Sequence, residues 1–90
     1  MKKNIGLIGC GNMAQAMITG IVSSKIVFGE NVFVSDKDEE KLKYIKEKFN
    51  VNISKDNKEV AENSDIIILA VKPNKYGEVI QGIKDYVKKD

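Results

Sequence analysis

The residues with the clearest chemical use lie in a glycine-rich segment near the N-terminus. An apolar run, IGLI at positions 5–8, leads directly into GCGNMA at positions 9–14, which has the spacing G-x-G-x-x-A. Between a strand and a helix, this spacing indicates a turn that binds a dinucleotide. Gly9 allows the sharp turn, Gly11 lets bare backbone approach a pyrophosphate, and Ala14 lets the helix pack closely. The phosphates then lie at the helix N-terminus.

A second candidate site follows the next apolar run, VFVS at positions 32–35. Asp36 ends this run about 20 residues after the glycine-rich turn, where dinucleotide sites carry an acid that accepts the ribose hydroxyls. Asp36 favours NAD(H), because its carboxylate repels a 2′-phosphate. Lys37 and the Ser35 hydroxyl favour NADP(H), because both can hold a 2′-phosphate. Both cofactors, NADP(H) and NAD(H), therefore stay open.

The composition limits what else the chain can do. All fifteen cationic side chains are lysines, the net charge is +2, and there is no histidine or arginine. Without histidine no side chain titrates near neutrality, so we predict no catalytic residue in this chain. One cysteine and no histidine predict no metal site. Because lysines alternate with acids and only Lys88-Lys89 form a terminal basic pair, we predict no nucleic-acid binding.

The single cysteine, Cys10, lies inside the glycine-rich turn. We favour a packing role for this small side chain over a reactive thiol. A single cysteine cannot form an internal disulfide, and no leader-like or membrane-spanning apolar segment is evident. These features predict a cytoplasmic protein without a membrane partner.

Strand patterns and helix patterns alternate along the chain, which indicates one α/β domain over residues 1–90. We predict a Rossmann-type doubly wound parallel sheet that is partial, with about four strands in the order 3-2-1-4 and helices on both faces. Strands are predicted at 5–8, 32–36, 51–53 and 65–71. Helices are predicted at 13–23, between 36 and 49, from Asp56 or Asn57 to Asn63, and from Tyr76 through Val87 to the C-terminus.

Four local expectations accompany these elements. Gly20, inside the first helix, is expected to pack closely against a neighbour. Glu39 is expected to support the second helix through Lys43. The run at 65–71 is expected to be buried on both faces, and Asn74 is expected to cap the last helix.

Three segments together resemble the N-terminal domain of pyrroline-5-carboxylate reductase, over the whole chain. They are IGLIGCGNM at 5–13, DNKEV at 56–60 and AVKP at 70–73. The glycine-rich turn alone is shared with many β-hydroxyacid and 6-phosphogluconate dehydrogenase relatives, whereas its combination with the AVKP strand exit is more specific. The resemblance implies an enzyme of proline biosynthesis that transfers hydride from NAD(P)H to the imine carbon of 1-pyrroline-5-carboxylate, giving L-proline.

The resemblance also implies a second, helical domain that forms a homo-oligomer and supplies most of the substrate pocket. That domain is absent from these 90 residues, so we expect the chain to bind cofactor without turnover. The 90 residues alone are expected to be monomeric or to pair through an uncovered edge of the fourth strand.

The family pattern assigns cofactor contacts residue by residue. It places the pyrophosphate and adjoining ribose at Gly9, Cys10, Gly11, Asn12 and Met13. The adenosine ribose falls at Ser35, Asp36 and Lys37, with Asn57 near the adenine end, and the nicotinamide ribose falls at Ala70, Val71, Lys72 and Pro73. Simpler roles stay open for three of these: a helix cap for Asn57, a solvated lysine for Lys72 and a strand terminator for Pro73.

Two other functions remain open at this stage. One is the cofactor-binding domain of another oxidoreductase, of the β-hydroxyacid dehydrogenase or deazaflavin-dependent NADP reductase type. The other is a nucleotide-sensing module without chemistry, which fits a short chain that lacks catalytic side chains.

Overall fold

The computed structural model of the chain describes residues 3–25 and 27–87. Within them, four strands alternate with four α-helices, as the sequence predicts. The strands are β1 (Ile5–Ile8), β2 (Val32–Ser35), β3 (Asn52–Ser54) and β4 (Ile66–Leu69). The helices are α1 (Asn12–Ser23), α2 (Glu39–Phe49), α3 (Asn57–Asn63) and α4 (Tyr76–Ile83), and short 3₁₀ helices precede β2 (Gly29–Asn31) and α4 (Pro73–Lys75).

The four strands form one parallel sheet in the order β3-β2-β1-β4. In the central strand, Ile5 lies opposite Val32 of β2 and Ile66 of β4, and the other residues of β1 follow in register. Parallel neighbours need crossover connections, and the helices between the strands supply them. The predicted fold class and strand order are therefore confirmed.

Side chains of β1 alternate between two apolar layers, one on each face of the sheet. Leu7 faces the layer formed with α1 and α2, where Ile18 and Ile45 are fully buried. Ile8 faces the other layer, where it packs with Val60 of α3 and with α4. Full burial of one such side chain stabilises the fold by about 1.5–3 kcal/mol. The predicted helices on both faces are confirmed.

Helix α3 approaches β1 closely at Gly6. A Cβ atom at this position would lie 2.7 Å from Cγ1 of Val60 and would collide with the Ser64 hydroxyl. That hydroxyl is buried and donates a hydrogen bond to the Val60 carbonyl oxygen at 2.6 Å. Only glycine leaves room for this contact, so Gly6 is required by packing of α3 and not by the glycine-rich turn.

Gly20 does not pack against a neighbour, which contradicts the sequence-based expectation. No atom of another part of the described chain lies within 4 Å of the position of its Cβ. Gly20 is exposed, on the side of α1 opposite the buried Ile18. The residue therefore weakens α1 by about 1 kcal/mol relative to alanine without a packing gain.

The entry to α2 also differs from the expectation. Asp38 caps this helix, because its Oδ1 accepts hydrogen bonds from the backbone N–H groups of Glu40 and Lys41. Glu39 pairs with Lys55, which lies after β3, and not with Lys43. The predicted support within α2 is thus replaced by a contact between α2 and the β3–α3 turn.

The last helix is shorter than predicted. It ends at Ile83 and is followed by turns, so Val87 lies outside it, and residues 88–90, including Lys88-Lys89, lie outside the described residues. Gly77 and Gly82 each lower the helix propensity of this segment by about 1 kcal/mol. The apolar face of α4 is therefore too short to stabilise a longer helix against the sheet.

Asn74 does not cap α4. It lies within the 3₁₀ helix, in which the N–H of Lys75 donates to the carbonyl oxygen of Lys72, and no side chain caps α4. Pro73 begins this turn, because its fixed φ suits a first helical position. The 3₁₀ turn therefore occupies the place where a capping side chain was expected.

Strand β4 is not buried on both faces, contrary to the prediction. Ile66 is 42% exposed, and the rest of the strand is partly exposed. Among the described residues β4 pairs only with β1, which leaves its other edge uncovered. Within residues 3–25 and 27–87, no helix has the length and apolar character needed to cross a membrane.

Candidate functional site

The candidate residues meet at the carboxyl edge of the sheet. Backbone hydrogen bonds continue one residue past the strands. The N–H of Gly9 donates to the carbonyl oxygen of Ser35 at 2.7 Å, and the N–H of Ala70 donates to the carbonyl oxygen of Ile8 at 2.9 Å. The N–H of Asp36 donates to the carbonyl oxygen of Ser54 at 3.3 Å. The residues that follow β1, β2 and β4 therefore lie side by side, at the edge where open α/β sheets bind their ligands.

The glycine-rich turn has the backbone that its sequence predicts. Gly9 has φ +106°, a conformation that favours glycine, and a Cβ there would lie 2.6 Å from the carbonyl oxygen of Ala70. Gly11 precedes α1, and a Cβ on it would meet no atom within 4 Å. The space in front of the turn is thus open.

The N-terminus of α1 faces this open space. No side chain caps it, and its first turn contains no acidic residue. The first N–H groups of a helix have no acceptor inside the helix, and they carry a partial positive charge. The turn is therefore suited to an anion such as a pyrophosphate.

Cys10 is fully buried behind the turn. Burial, reinforced by the charge of Asp36 and a hydrogen bond to it, raises the pKa of the thiol to about 12. The thiol is therefore neutral and inert at ordinary pH. This confirms the packing role over the reactive thiol.

Asp36 connects the turn to the next loop. Its Oδ2 accepts a hydrogen bond from the N–H of Cys10 at 2.9 Å, and its Oδ1 accepts one from the N–H of Asp38 at 2.9 Å. Burial by itself would raise the pKa of Asp36, but these two N–H donors lower it below its usual value. The residue is an anion whose oxygens retain lone pairs for further donors.

Ser35 and Asn57 form a contact that the sequence did not reveal. Ser35 is fully buried, and its hydroxyl donates to Oδ1 of Asn57 at 2.6 Å. Asp56 caps α3 by accepting from the N–H of Lys58 at 2.9 Å, so Asn57 does not serve as the cap. The simpler interpretation of Asn57 as a helix cap is wrong.

A cavity of about 480 Å³ opens at this edge, within the size range of small-molecule sites. Six of the predicted site residues line it: Gly9, Ser35, Asp36, Lys37, Asn57 and Val71. The others lie outside its lining: Cys10, Gly11, Asn12, Met13, Ala70, Lys72 and Pro73. The cavity therefore joins the corner after β2 and Asn57 to Gly9 and Val71, while the rest of the glycine-rich turn and of the β4 exit lies outside its lining.

Several cavity residues were missed by the sequence analysis. They come from the β3–α3 turn, the first turn of α3, the end of the second 3₁₀ helix and one face of α4: Lys55, Asp56, Lys58, Lys75, Glu78, Val79 and Gly82. Two signals were available, namely the position directly after a strand and the helical spacing from 75 to 82. Four lysines and three acidic residues line the cavity, which suits a ligand with negative charge.

These features fit a dinucleotide. The turn offers uncapped helix N–H groups, Asp36 offers an acceptor for ribose hydroxyls, and the lysines offer charge for phosphates. Among the described residues, no three cysteine or acidic side chains gather as metal ligands. The site is therefore suited to binding and orienting a phosphorylated ligand.

The sequence matches known proteins along nearly its whole length. The family model described as NADP oxidoreductase, coenzyme F420-dependent, matches residues 4–90. Pyrroline-5-carboxylate reductase 2 of Bacillus subtilis is 40% identical over 87 residues, which is 96% of this chain and 31% of that protein. The pyrroline-5-carboxylate reductase of Escherichia coli is 36% identical over 90 residues, which is 100% of this chain and 34% of that protein.

Solved structures agree with this match. A pyrroline-5-carboxylate reductase from Coxiella burnetii superposes with a TM-score of 0.91 at 32% identity, over 100% of this chain and 33% of that one. The Plasmodium falciparum pyrroline carboxylate reductase, solved with NADP bound, gives 0.79 at 33% identity, over 94% of this chain and 30% of that one. The chain thus spans about a third of the length of these relatives.

The fold and the site are those of a Rossmann-type dinucleotide-binding domain. The chain belongs to the family of NADP oxidoreductases that the matching model describes, and within it the chain is similar to the N-terminal third of pyrroline-5-carboxylate reductases. The predicted resemblance and the predicted cofactor class, NADP(H) or NAD(H), are confirmed.

Proposed function

We propose that this chain is the cofactor-binding part of a pyrroline-5-carboxylate reductase. The observation that carries the proposal is the meeting of the uncapped glycine-rich turn, the Asp36 corner and Asn57 at one edge of the sheet. The identity of 36–40% to reductases of this name supports the substrate, 1-pyrroline-5-carboxylate. Because these relatives are about three times longer, we place the substrate pocket and the contacts of a homo-oligomer outside the 90 residues.

The pyrophosphate and adjoining ribose are assigned to Gly9, Cys10, Gly11, Asn12 and Met13. The support is the open space at Gly11 and the uncapped start of α1. The N–H groups of Gly9 and Cys10 already donate to Ser35 and Asp36, so we assign the phosphate contacts to backbone N–H groups from Gly11 to Met13. These residues bind and orient the phosphates.

The adenosine half is assigned to Asp36, Lys37 and Asn57, which line the cavity, with Ser35 beneath them. Asp36 accepts the ribose hydroxyls, and Lys37 attracts a 2′-phosphate. The two side chains act in opposite directions, so we expect the chain to bind both NADPH and NADH.

The nicotinamide ribose is assigned to Ala70, Val71, Lys72 and Pro73, which follow β4 at the carboxyl edge. When bound, the reduced nicotinamide supplies the hydride that reduces the imine carbon. This chain holds and orients it: the neutral, buried Cys10 has no role in proton transfer, and no histidine is present. Proton delivery is assigned to residues outside the 90.

Calorimetric titration of this chain with NADPH and with NADH tests the site. Saturable binding of both cofactors is expected. Asp36→Ser should strengthen NADPH binding and weaken NADH binding, because the carboxylate repels the 2′-phosphate and accepts the ribose hydroxyls. Lys37→Ala should weaken mainly NADPH, whereas Lys43→Ala, an exposed lysine outside the cavity, should change neither.

Absence of binding by the folded chain contradicts the assigned site, and equal effects of Asp36→Ser on both cofactors remove that carboxylate as the discriminator. The activity is tested separately. The longer reading frame that contains these 90 codons should direct oxidation of NADPH that depends on 1-pyrroline-5-carboxylate, and the 90 residues alone should not. A stop codon directly after Asp90 contradicts the reductase.

A further inference from the structure

The hydroxyl of Ser35 points away from bulk solvent and has one acceptor among the described residues. Ser35 is fully buried, and its hydroxyl donates to Oδ1 of Asn57 at 2.6 Å. Ser35 lies at the end of β2 and Asn57 at the start of α3, so the bond joins two separate walls of the cavity. A direct contact between the Ser35 hydroxyl and a ligand would break this bond.

The amide nitrogen of the Asn57 side chain is available as a hydrogen-bond donor. Asp56 caps α3, so Asn57 is not needed for the helix. Within residues 3–25 and 27–87, no hydrogen bond involves Nδ2 of Asn57, and no buried side-chain nitrogen or oxygen lacks a partner. The amide nitrogen is therefore accessible, and the residue lines the cavity.

The buried hydroxyl determines which way the amide faces. A buried O–H without an acceptor is costly, and Oδ1 of Asn57 is the acceptor that Ser35 has in the described chain. If the amide turned over, Nδ2 would face the hydroxyl and the O–H would lose its acceptor. Ser35 thus keeps Oδ1 inward and the two N–H donors of Nδ2 outward.

We infer that Ser35 is a positioning residue, which orients Asn57 so that its amide donates to an acceptor on the adenosine half of the dinucleotide. The inference rests on the proposed function, because it concerns the same site. Phosphate oxygens, ribose hydroxyls and adenine nitrogens are all acceptors of this kind. The Ser35 hydroxyl acts through Asn57 and does not contact the cofactor.

The test is a double-mutant cycle read by calorimetry with NADPH and with NADH. Asn57→Ala should weaken binding about tenfold and Ser35→Ala roughly fivefold, while the double variant should bind no worse than Asn57→Ala. Ser35→Cys keeps the size of the side chain but donates poorly, so it should behave like Ser35→Ala. A loss confined to NADPH identifies the 2′-phosphate as the acceptor, and equal losses identify the adenine or ribose.

Ser64→Ala is the matched control. Ser64 is also buried, and its hydroxyl also makes a 2.6 Å bond, to the Val60 carbonyl, but it does not line the cavity. The Ser35 and Ser64 variants should lose similar stability in urea, and only the Ser35 variants should lose affinity. Unchanged affinity in Ser35→Ala, or additive losses in the double variant, overturns the inference while wild-type binding still supports the proposed function. If the folded wild type binds neither cofactor, the inference and the proposed function are both contradicted.

Discussion

Two regions of the molecule differ in how completely they are covered: the core between β1, α1 and α2, and the edge formed by β4 together with α4. On the face of α1 and α2, the core residues Leu7, Ile18 and Ile45 are fully buried. On the side of β4 and α4, Ile66 is 42% exposed and Ile80 is 49% exposed. We call the first the closed side and the second the open side. The contrast arises because β4 has one neighbouring strand among the described residues.

The contrast separates two parts of the proposed cofactor site. The glycine-rich turn and the Asp36 corner join β1, β2 and α1, and they are held by backbone and carboxylate hydrogen bonds on the closed side. The residues proposed for the nicotinamide ribose, 70–73, connect β4 and α4 on the open side. The residues proposed for the adenosine and pyrophosphate are therefore held by contacts within the described chain, whereas those proposed for the nicotinamide ribose lie beside exposed apolar surface.

The largest expected effect is a difference in stability between two helical isoleucines. Ile18→Ala on the closed side should lower the free energy of unfolding by about 3 kcal/mol, because it leaves a cavity in a packed layer. Ile80→Ala on the open side should lower it by less than about 1 kcal/mol, because the side chain is half exposed. Urea denaturation measures both. Equal losses would abolish the distinction between the two sides.

A smaller effect separates two glycines of the same turn. Gly9→Ala should lower the free energy of unfolding by about 2 kcal/mol, because φ is +106° and the new Cβ meets the Ala70 carbonyl. Gly11→Ala should cost less than about 1 kcal/mol, because its Cβ enters open space. It should nevertheless weaken NADPH binding about tenfold, because that space is assigned to the pyrophosphate. Unfolding curves and calorimetry on both variants decide, and unchanged NADPH binding in Gly11→Ala moves the pyrophosphate elsewhere.

The smallest effect concerns the exclusion of water from the Cys10 thiol on the closed side. The pKa of its thiol rises from 9.0 to about 12 in the folded chain. Above pH 9 the unfolded chain therefore releases a proton that the folded chain retains, so stability should fall as the pH rises from 9 toward 12. Urea denaturation between pH 8 and pH 10.5 should show a steeper decline for the wild type than for Cys10→Ala. Parallel declines would mean that the thiol is not shielded.

Local patterns predicted the elements of the closed side well. The strand exit at Gly9 has the left-handed turn that G-x-G-x-x-A requires, and α2 buries Leu42 and Ile45 as their spacing indicates. Patterns of this kind are decided by neighbours in sequence, so they can be read without the fold. Alternation of strands and helices then leaves few topologies, which is why the order β3-β2-β1-β4 was predictable.

The predictions that failed depended on neighbours distant in sequence. Gly20 has no close neighbour, and the run at 66–69 is partly exposed, because nothing in the sequence of either segment reports what packs against it. The end of α4 at Ile83 depends on how much apolar face reaches the sheet. Asn74 does not cap α4, because Pro73 begins a 3₁₀ helix that includes Asn74.

The order of amino acids was enough to predict the cofactor class and the edge of the sheet at which the candidate residues meet, because a glycine-rich strand exit and an acid after the next strand have few other uses. The lining of the cavity, in contrast, depended on how distant parts of the chain pack together. The buried Ser35 hydroxyl donates to Asn57, and Asp56 caps α3 in place of Asn57. One face of α4 lines the cavity. These outcomes depend on contacts between residues far apart in the chain, which the order of amino acids specifies only through the folded packing.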